Sequence, residues 1–257
     1  MKKTLSILIP AIVVAILLIG GYSLIKRSAD KSKETTSASE ETPVNTPKTG
    51  ALKVLLINGS PNEKGCTFTA LSEVAASLNA EGVETEIIHI GKKAMQGCTA
   101  CGACKRSEGC AFDDLVNVVA EKAKTCDGLI FGSPVYYASA NGSMLAFLDR
   151  LFYSAGKTFA HKPGAAVVSA RRAGTTAALD CLNKYFTISE MPVVSSQYWN
   201  MVFGNTPEEV KQDLEGMQIM RTLGKNMAWL LKTIEAGKAA GIELPQHEKR
   251  LGTNFIR

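Results

Sequence analysis

The sequence predicts an α/β fold of three layers, in which a sheet of five parallel strands lies between two layers of helices. Two observations carry this prediction. Short apolar runs bounded by Gly, Pro or Ser recur along the chain, which is typical of strands buried on both faces of a parallel sheet. Segments with apolar residues three or four positions apart lie between these runs, as amphipathic helices require.

The elements follow one another in a regular alternation. The five predicted strands are residues 51–57, 85–90, 128–132, 164–169 and 192–196. The predicted helices centre on residues 68–78, 115–122, 144–151, 179–186 and 217–234. We therefore place one domain at residues 51–240, followed by a tail, residues 241–257, that has no clear pattern.

The N-terminal segment differs in composition from the rest of the chain. Residues 5–25 form an uncharged run of 21 residues that is flanked by lysines on one side and by Lys26 and Arg27 on the other. That length is enough to cross a bilayer core of about 30 Å. We predict a transmembrane anchor helix at residues 1–27, a flexible linker at residues 28–50 and a membrane localisation whose side stays open. A cleaved signal peptide is the alternative, although its apolar region normally has about 7–15 residues.

The net charge bears on possible partners. The whole chain carries +5, and the seven basic and four acidic residues of the first 50 positions account for +3 of it, which leaves +2 for the domain. The sequence has no basic patch with interleaved aromatic residues. Nucleic acid is therefore not expected as a partner.

Three loops follow strands that should end at the same edge of the sheet, where open parallel sheets bind their ligands. The first, residues 59–67 (GSPNEKGCT), joins a buried strand directly to a helix, whose start presents free N–H groups to an anion. It lacks the patterns of a P-loop and of a dinucleotide site, which favours a phosphate monoester. An ordinary turn is the alternative.

The second loop, residues 132–142 (GSPVYYASANG), offers a flat apolar surface at a strand end. Such a surface suits a planar ring such as a flavin, and a turn with core tyrosines is the alternative interpretation. The residues that would form it are Pro134, Val135, Tyr136 and Tyr137.

The third loop, residues 169–176 (SARRAGTT), carries two arginines and a glycine between a strand and a helix. Arg171 or Arg172 could contact the edge of a flavin or the phosphates of a nicotinamide donor. A solvated surface position is the alternative for either arginine.

Four of the seven cysteines lie within 13 residues, at Cys98, Cys101, Cys104 and Cys110. The spacing C-x2-C-x2-C-x5-C brings four thiolates around one small centre, which favours a four-iron cluster. The intervening glycines permit the tight turns that such wrapping requires. Zinc, two disulfides and four free thiols are the alternatives.

The chain resembles the NAD(P)H-dependent FMN reductase family of flavodoxin-like proteins over residues 52–237, on the strength of LLINGSPNEKGCT, GSPVYYASANGSMLAFLDR, SARRAGTT and NMAWLLK. The cysteine spacing resembles the iron-sulfur flavoprotein branch, which implies a 4Fe-4S cluster near the flavin. The resemblance also implies a homodimer and NAD(P)H as co-substrate. Residues implied to hold the FMN phosphate are Ser60, Asn62, Gly65, Cys66 and Thr67, and those implied for the ring are Pro134, Val135, Tyr136, Tyr137, Ser169, Arg171, Arg172 and Gly174. Cys66 is a departure, because family members often carry Asn there.

FMN carries the redox chemistry in such a protein, so no catalytic side chain is expected. The leading hypothesis is a membrane-anchored oxidoreductase in which NAD(P)H reduces FMN, and electrons pass through the cluster to a quinone, flavin or protein acceptor. The alternatives are a one-electron carrier without direct NAD(P)H oxidation and a zinc-stabilised binding module. His89, His161 and His247 have no partner at a recognisable spacing and are predicted to play no part.

Overall fold

The computed structural model describes residues 50–249 and 251–255. Its strands are β1 (Lys53–Asn58), β2 (Glu84–His89), β3 (Gly128–Tyr136), β4 (Ser139–Ala140), β5 (Gly164–Ala170) and β6 (Met201–Phe203). Its α-helices are α1 (Cys66–Ala80), α2 (Leu115–Thr125), α3 (Gly142–Ala155), α4 (Thr175–Ile188), α5 (Pro207–Gln212) and α6 (Leu214–Ala239). Two short 3₁₀ helices span Ala103–Lys105 and Gly156–Phe159.

The sheet has the order β2-β1-β3-β5-β6, and these five strands are parallel. The short β4 pairs antiparallel with the end of β3. The chain passes from β1 to β2 on one side and then crosses to β3 on the other, so the strand order reverses between β1 and β3. This is the flavodoxin-like order, in which ligands bind outside the carboxyl ends of the strands near that reversal.

Strand β1 shows why the sheet lies in the middle of the domain. Val54 and Leu56 belong to the hydrophobic cluster on the α1 and α6 side, whereas Leu55 and Ile57 belong to the cluster on the α2, α3 and α4 side. All four side chains are fully buried. Successive side chains of a strand point to opposite faces, so a continuous apolar run requires a helix layer on each face.

The helix starts fall into two groups. Four α-helices begin at side chains that accept a first-turn N–H, namely Asp114, Asn141, Thr206 and Asp213. The other two among the described residues, α1 and α4, begin at Gly65 and Gly174 without any side-chain cap. Both glycines lie in loops that the sequence analysis selected, so uncapped N–H groups occur where an anionic ligand is expected.

The edge strand differs from the prediction. Residues 192–196 were predicted as the fifth strand, but Val193 forms only an isolated bridge with Gly164. The edge position beside the second half of β5 is taken by Met201–Phe203. The apolar run at 192–196 misled the prediction because Val193 is exposed, whereas Val202 is buried against the sheet.

The predicted membrane anchor at residues 1–27 lies outside the described residues, as does the linker up to residue 49. Within the part of the chain that the structure describes, no helix combines the length and the apolar character that crossing a bilayer requires. This finding contradicts the membrane localisation predicted from the sequence.

Candidate functional site

The first loop is folded by the side chains at its start. The Asn58 side chain accepts a hydrogen bond from the Ser60 N–H at 3.1 Å and donates to the Glu63 carbonyl at 3.0 Å. The Ser60 hydroxyl accepts from the Asn62 N–H at 3.1 Å, and the Gly65 N–H donates to the Asn62 carbonyl at 3.2 Å. These bonds hold the loop in a tight turn directly above the N-terminus of α1.

That N-terminus offers donors to an anion. Gly65 is the N-cap without a side-chain bond, and the first turn of α1 contains no acidic residue. Burial, with the carboxylates of Glu208 and Glu209, raises the pKa of the Cys66 thiol. A neutral thiol places no negative charge beside the free N–H groups, so the site can accept a phosphate.

The second loop is a β-hairpin, which the sequence analysis did not predict. Strand β3 runs on to Tyr136 and pairs with β4, and the turn residues Tyr137 and Ala138 have φ of 49° and 58°. Residues other than glycine rarely adopt this left-handed backbone conformation. Such strained residues are concentrated at ligand-binding positions. Tyr137 at the tip is fully exposed.

The third loop packs against this hairpin through a glycine. Gly174 has φ of 90°, and a Cβ there would lie 2.6 Å from the Ala138 Cα and 3.0 Å from a methyl group of Val135. Only a residue without a side chain allows this approach. Arg171 and Arg172 beside it are exposed and make no hydrogen bond or ion pair with another described residue.

Hydrogen bonds join the three loops at one edge of the sheet, as predicted. The Thr67 and Ser169 hydroxyls lie 2.8 Å apart and are buried, so they bond each other and contribute their side chains to the framework. The Asn141 side chain donates to the Gly59 carbonyl at 2.7 Å, which ties the hairpin to the first loop. The three loops therefore meet at the carboxyl edge of the sheet.

A cavity of about 610 Å³ opens beside the first loop. Asn62 and Gly65 line it together with Lys64, Lys92 and Glu63, so two basic side chains and one acidic side chain face it. Its volume lies in the usual range for small-ligand sites. The hairpin residues do not line it, and the surface they offer to a ring is open to solvent.

The cysteine loop follows β2 and has an irregular backbone. Ala100, Gly102 and Gly109 have φ of 53°, 69° and 80°, so the chain turns sharply three times between the first and last cysteine. Cys98 and Cys101 are exposed, Cys104 and Cys110 are half-buried, and each of them is a free thiol. A hydrogen bond from the Ala103 backbone lowers the pKa of the Cys101 thiol.

Cys110 is the most firmly held of these cysteines. The Asn117 side chain accepts from the Cys110 N–H at 2.8 Å and donates to its carbonyl at 3.0 Å. The guanidinium of Arg150 lies on its sulfur, with Nε 3.2 Å from Sγ. Helix α2 and helix α3 thus fix this cysteine from two directions.

Arg150 is the residue that sequence reasoning missed. It is 1% exposed and forms a two-bond pair with the Asp114 carboxylate, at 2.7 and 2.8 Å. It also donates to the Gln96 and Phe112 carbonyls, each at 3.3 Å. One side chain therefore holds both ends of the cysteine loop. The only signal available in the sequence was an arginine within an otherwise apolar helix face.

The Arg150–Asp114 pair keeps its charge despite burial. Burial by itself would lower the pKa of the Arg150 guanidinium, but Asp114 and Cys110 outweigh it and raise that pKa. Burial likewise opposes ionisation of Asp114, but hydrogen bonds from Arg150 and the Val116 N–H hold its pKa below the usual range. The positive charge beside Cys110 is therefore permanent.

The four thiols of the cysteine loop differ in their fit to zinc and to a four-iron cluster. A single zinc ion would hold thiolates about 3.8 Å apart, given zinc–sulfur bonds of about 2.3 Å. Among the described residues, no three of the four cysteines bring their sulfur atoms within 4.8 Å of one another. A four-iron cluster is a larger body with one thiolate on each iron, and four free thiols on one glycine-containing loop fit it.

Comparison with known proteins agrees with these features. The family model described as NADPH-dependent FMN reductase matches residues 52–206. An iron-sulfur flavoprotein of Methanocaldococcus jannaschii is 31% identical over 192 residues, which are 72% of this chain and 100% of that protein.

Two solved structures are similar in fold. RosB, with bound 8-demethyl-8-formylriboflavin-5′-phosphate, has a TM-score of 0.59 at 14% identity, over 80% of this chain and 94% of that chain. The NAD(P)H:quinone oxidoreductase of Methanothermobacter marburgensis has a TM-score of 0.55 at 14% identity, over 69% of this chain and 100% of that chain. The family match and the sequence relative decide the assignment: this chain belongs to the NADPH-dependent FMN reductase family, in its iron-sulfur flavoprotein branch.

Proposed function

We propose that NAD(P)H reduces FMN on this chain and that the electrons pass, through a 4Fe-4S cluster on the cysteine loop, to a quinone, flavin or protein acceptor. The family assignment makes the chain a flavin-dependent oxidoreductase. The observation that carries the finer proposal is the convergence of the three loops, with two uncapped helix starts, at one sheet edge. FMN, when bound, supplies the hydride and single-electron chemistry.

The chain's own residues divide into two roles. Backbone N–H groups at the start of α1, with the side chains of Ser60, Asn62 and Cys66, would hold the phosphate. The hairpin residues Pro134, Val135, Tyr136 and Tyr137 would contact the ring. The proposal assigns no side chain a catalytic role.

The binding site for the nicotinamide donor is proposed from the positive charge of Arg171 and Arg172. Arg171 and Arg172 are exposed beside Gly174, and neither guanidinium is neutralised by another described residue. Two free guanidinium groups next to the hairpin favour an anion, and a dinucleotide carries two phosphates or more. They would therefore attract and orient NADH or NADPH.

The cluster is proposed on Cys98, Cys101, Cys104 and Cys110. Four thiolates and the cluster carry net negative charge, and the buried Arg150 guanidinium on Cys110 offsets part of it. Hydrogen bonds to cluster sulfurs and nearby charge are what set the reduction potential of such a centre.

A second copy of the chain is the proposed partner at the hairpin, because Tyr136 and Tyr137 are large, aromatic and exposed. Sedimentation velocity of the full-length chain over a range of concentrations tests this. We expect a dimer that the Tyr137→Ser variant weakens. A monomer at every concentration would contradict the proposed dimer.

The main experiment is anaerobic reconstitution of the full-length chain with FMN, iron and sulfide, followed by stopped-flow mixing with NADPH or NADH. We expect flavin absorbance, about four irons per chain and rapid bleaching of the flavin absorbance by one nucleotide. No flavin absorbance would overturn the proposal. Bound flavin that neither nucleotide bleaches would remove NAD(P)H from it and favour a one-electron carrier.

A variant pair tests the two arginines. The Arg171→Met, Arg172→Met double variant should raise the KM for the nucleotide roughly tenfold, since two exposed charge contacts together contribute about 1.4 kcal/mol. Its kcat at saturating nucleotide should stay close to the wild-type value. Lys157→Met, an exposed cation that follows α3, is the control and should leave KM unchanged.

A further inference from the structure

We propose that His161, Glu190 and His247 form a binding site for a divalent transition-metal ion such as Zn²⁺, which fastens the C-terminal tail to the domain. One ligand atom from each residue lies within 4.8 Å of the other two. The His247 Nε2 is 3.2 Å from a Glu190 carboxylate oxygen, and the two imidazole rings are 6.0 Å apart between centroids. The proposal goes beyond the redox function and does not depend on it.

Two of the three ligands come from a braced part of the domain. His161 and Glu190 have φ of 65° and 57°, a backbone conformation that residues other than glycine rarely adopt. The His161 N–H donates to the Glu190 carbonyl at 3.0 Å, so the two strained residues hold each other in place. The backbone therefore holds the Cα atoms of His161 and Glu190 close to each other.

The third ligand comes from the exposed segment that follows the last helix. His247 lies eight residues after α6 ends at Ala239, in a stretch without regular secondary structure whose residues are mostly exposed. The Glu190 and His247 side chains are 54% and 55% exposed. An exposed polar contact of this kind contributes about 0–1 kcal/mol, whereas a shared metal ion would hold the segment much more firmly.

The donor set selects the class of ion. Two imidazole nitrogens and one carboxylate oxygen are ligands that zinc binds at about 2.0–2.2 Å, with water in a fourth position. Calcium and magnesium prefer oxygen ligands only. Because the side chains are half-exposed, small rotamer changes can bring three atoms now within 4.8 Å to the spacing that one ion requires.

The position of the site indicates a structural role. His161 precedes β5, and Glu190 follows α4, so both lie at the amino edge of the parallel sheet. The three loops of the candidate flavin site lie at the carboxyl edge. An ion at the amino edge is therefore remote from the proposed redox centres and would act on the tail.

Zinc titration of the full-length chain by isothermal calorimetry tests the proposal. The wild type is compared with His247→Ala and with His161→Asn, because asparagine tolerates the left-handed backbone. All three proteins keep the four cysteines, so zinc bound there is common to them. We expect wild type to bind one equivalent of zinc in addition to any zinc on the cysteines. Each variant should bind this additional ion at least about tenfold more weakly, since even outer-shell partners contribute about 10- to 100-fold.

His89→Asn is the matched control, since His89 lies at the end of β2, and it should bind zinc as wild type does. Limited trypsin digestion gives an independent readout. Zinc should slow cleavage after Lys249 in wild type and in His89→Asn, and should have no effect in His247→Ala. Equal stoichiometry and affinity in all proteins, or tail cleavage that zinc leaves unchanged, would overturn the site.

Discussion

At the scale of single residues, Arg150 joins helix α3 to both ends of the cysteine loop. Its donors reach sequence positions up to 55 residues away, and all of them belong to the two ends of the cysteine loop. A buried cation with several acceptors stabilises a loop only while every partner is present, because each unpaired buried group carries a desolvation penalty. The loop conformation is therefore sensitive to this one side chain.

Arg150→Met should lower the free energy of unfolding by about 3 kcal/mol, the low end of what breaking a buried pair costs. The low end applies because the Asp114 side chain is 38% exposed and regains water. Urea unfolding measures this loss. Arg221→Met is the matched control: its pair with Glu73 is half-exposed, so the loss should be about 0–1 kcal/mol. Equal losses in the two variants would contradict the assigned role.

The same variant has a pH signature. Because Arg150 holds the pKa of Asp114 below its usual range, the pair stabilises the fold above the ordinary carboxyl pKa of about 3.9 and loses this effect as the pH falls through the native pKa. The difference in unfolding free energy between wild type and Arg150→Met should be constant near neutral pH and should shrink in acid. A difference that stays the same down to acid pH would show that Asp114 is not involved.

Gly174 is the second residue of interest, because it allows the third loop to pack against the hairpin. Gly174→Ala should raise the FMN dissociation constant about tenfold or more, because the added Cβ meets the Ala138 backbone and separates the hairpin from the third loop. Gly82→Ala is a close control, since Gly82 has φ of 79° but no atom within 4 Å of the added Cβ. It should cost about 1–2 kcal/mol of stability and leave FMN affinity unchanged. Flavin fluorescence quenching measures the affinity.

At the scale of elements, the tip of the hairpin of β3 and β4 should affect FMN affinity without contributing to the free energy of unfolding. Tyr137 is strained at φ of 49° and makes no buried contact. Tyr137→Gly should therefore leave the unfolding free energy unchanged or raise it by up to about 1 kcal/mol, since glycine removes the strain but adds freedom to the unfolded chain. FMN affinity should nevertheless fall, because an aromatic contact with the ring is lost.

Tyr153→Gly provides the opposite pattern. Tyr153 is exposed near the end of α3, so glycine there should destabilise the helix by about 1 kcal/mol without changing FMN affinity. Calorimetric melting and fluorescence titration of both variants make the comparison. If Tyr137→Gly lost stability and affinity together, the strain at the tip would not be a feature of the binding site.

Element prediction from sequence succeeded where periodicity was local. Four of the five predicted strands and all five predicted helices are present, because each depends on apolar spacing within one segment. The edge strand was misplaced because residues 192–196 and Met201–Phe203 are both short apolar runs. Long-range contacts decide which of the two runs pairs with β5, and the spacing of apolar residues within a segment does not predict those contacts.

At the scale of the whole molecule, the sheet divides the core into two separate clusters. Phe131 and Phe186 stack in one cluster, with centroids 5.1 Å apart, and Val74 lies in the other. Phe131→Leu and Phe186→Leu should show a coupling free energy of about 0.5–1.5 kcal/mol. Phe186→Leu and Val74→Ala should be additive within about 0.5 kcal/mol. Urea unfolding of both double-mutant cycles tests this, and equal coupling in both would show one continuous core.

The sequence alone determined the α/β class, the order of most elements, the three loops at one edge and the compact cysteine spacing. These follow from local periodicity and from the rule that parallel strands end together, so they need no knowledge of contacts. The identity of the site residues within each loop stays a prediction.

Tertiary structure decided the rest. Arginine side chains are normally exposed, and only the packing of a loop from another part of the chain makes Arg150 buried and paired. His161 and His247 are 86 positions apart and come together only because the tail returns to the amino edge of the sheet. Burial and pairing are properties of contacts between distant segments, and for that reason local sequence patterns do not determine them.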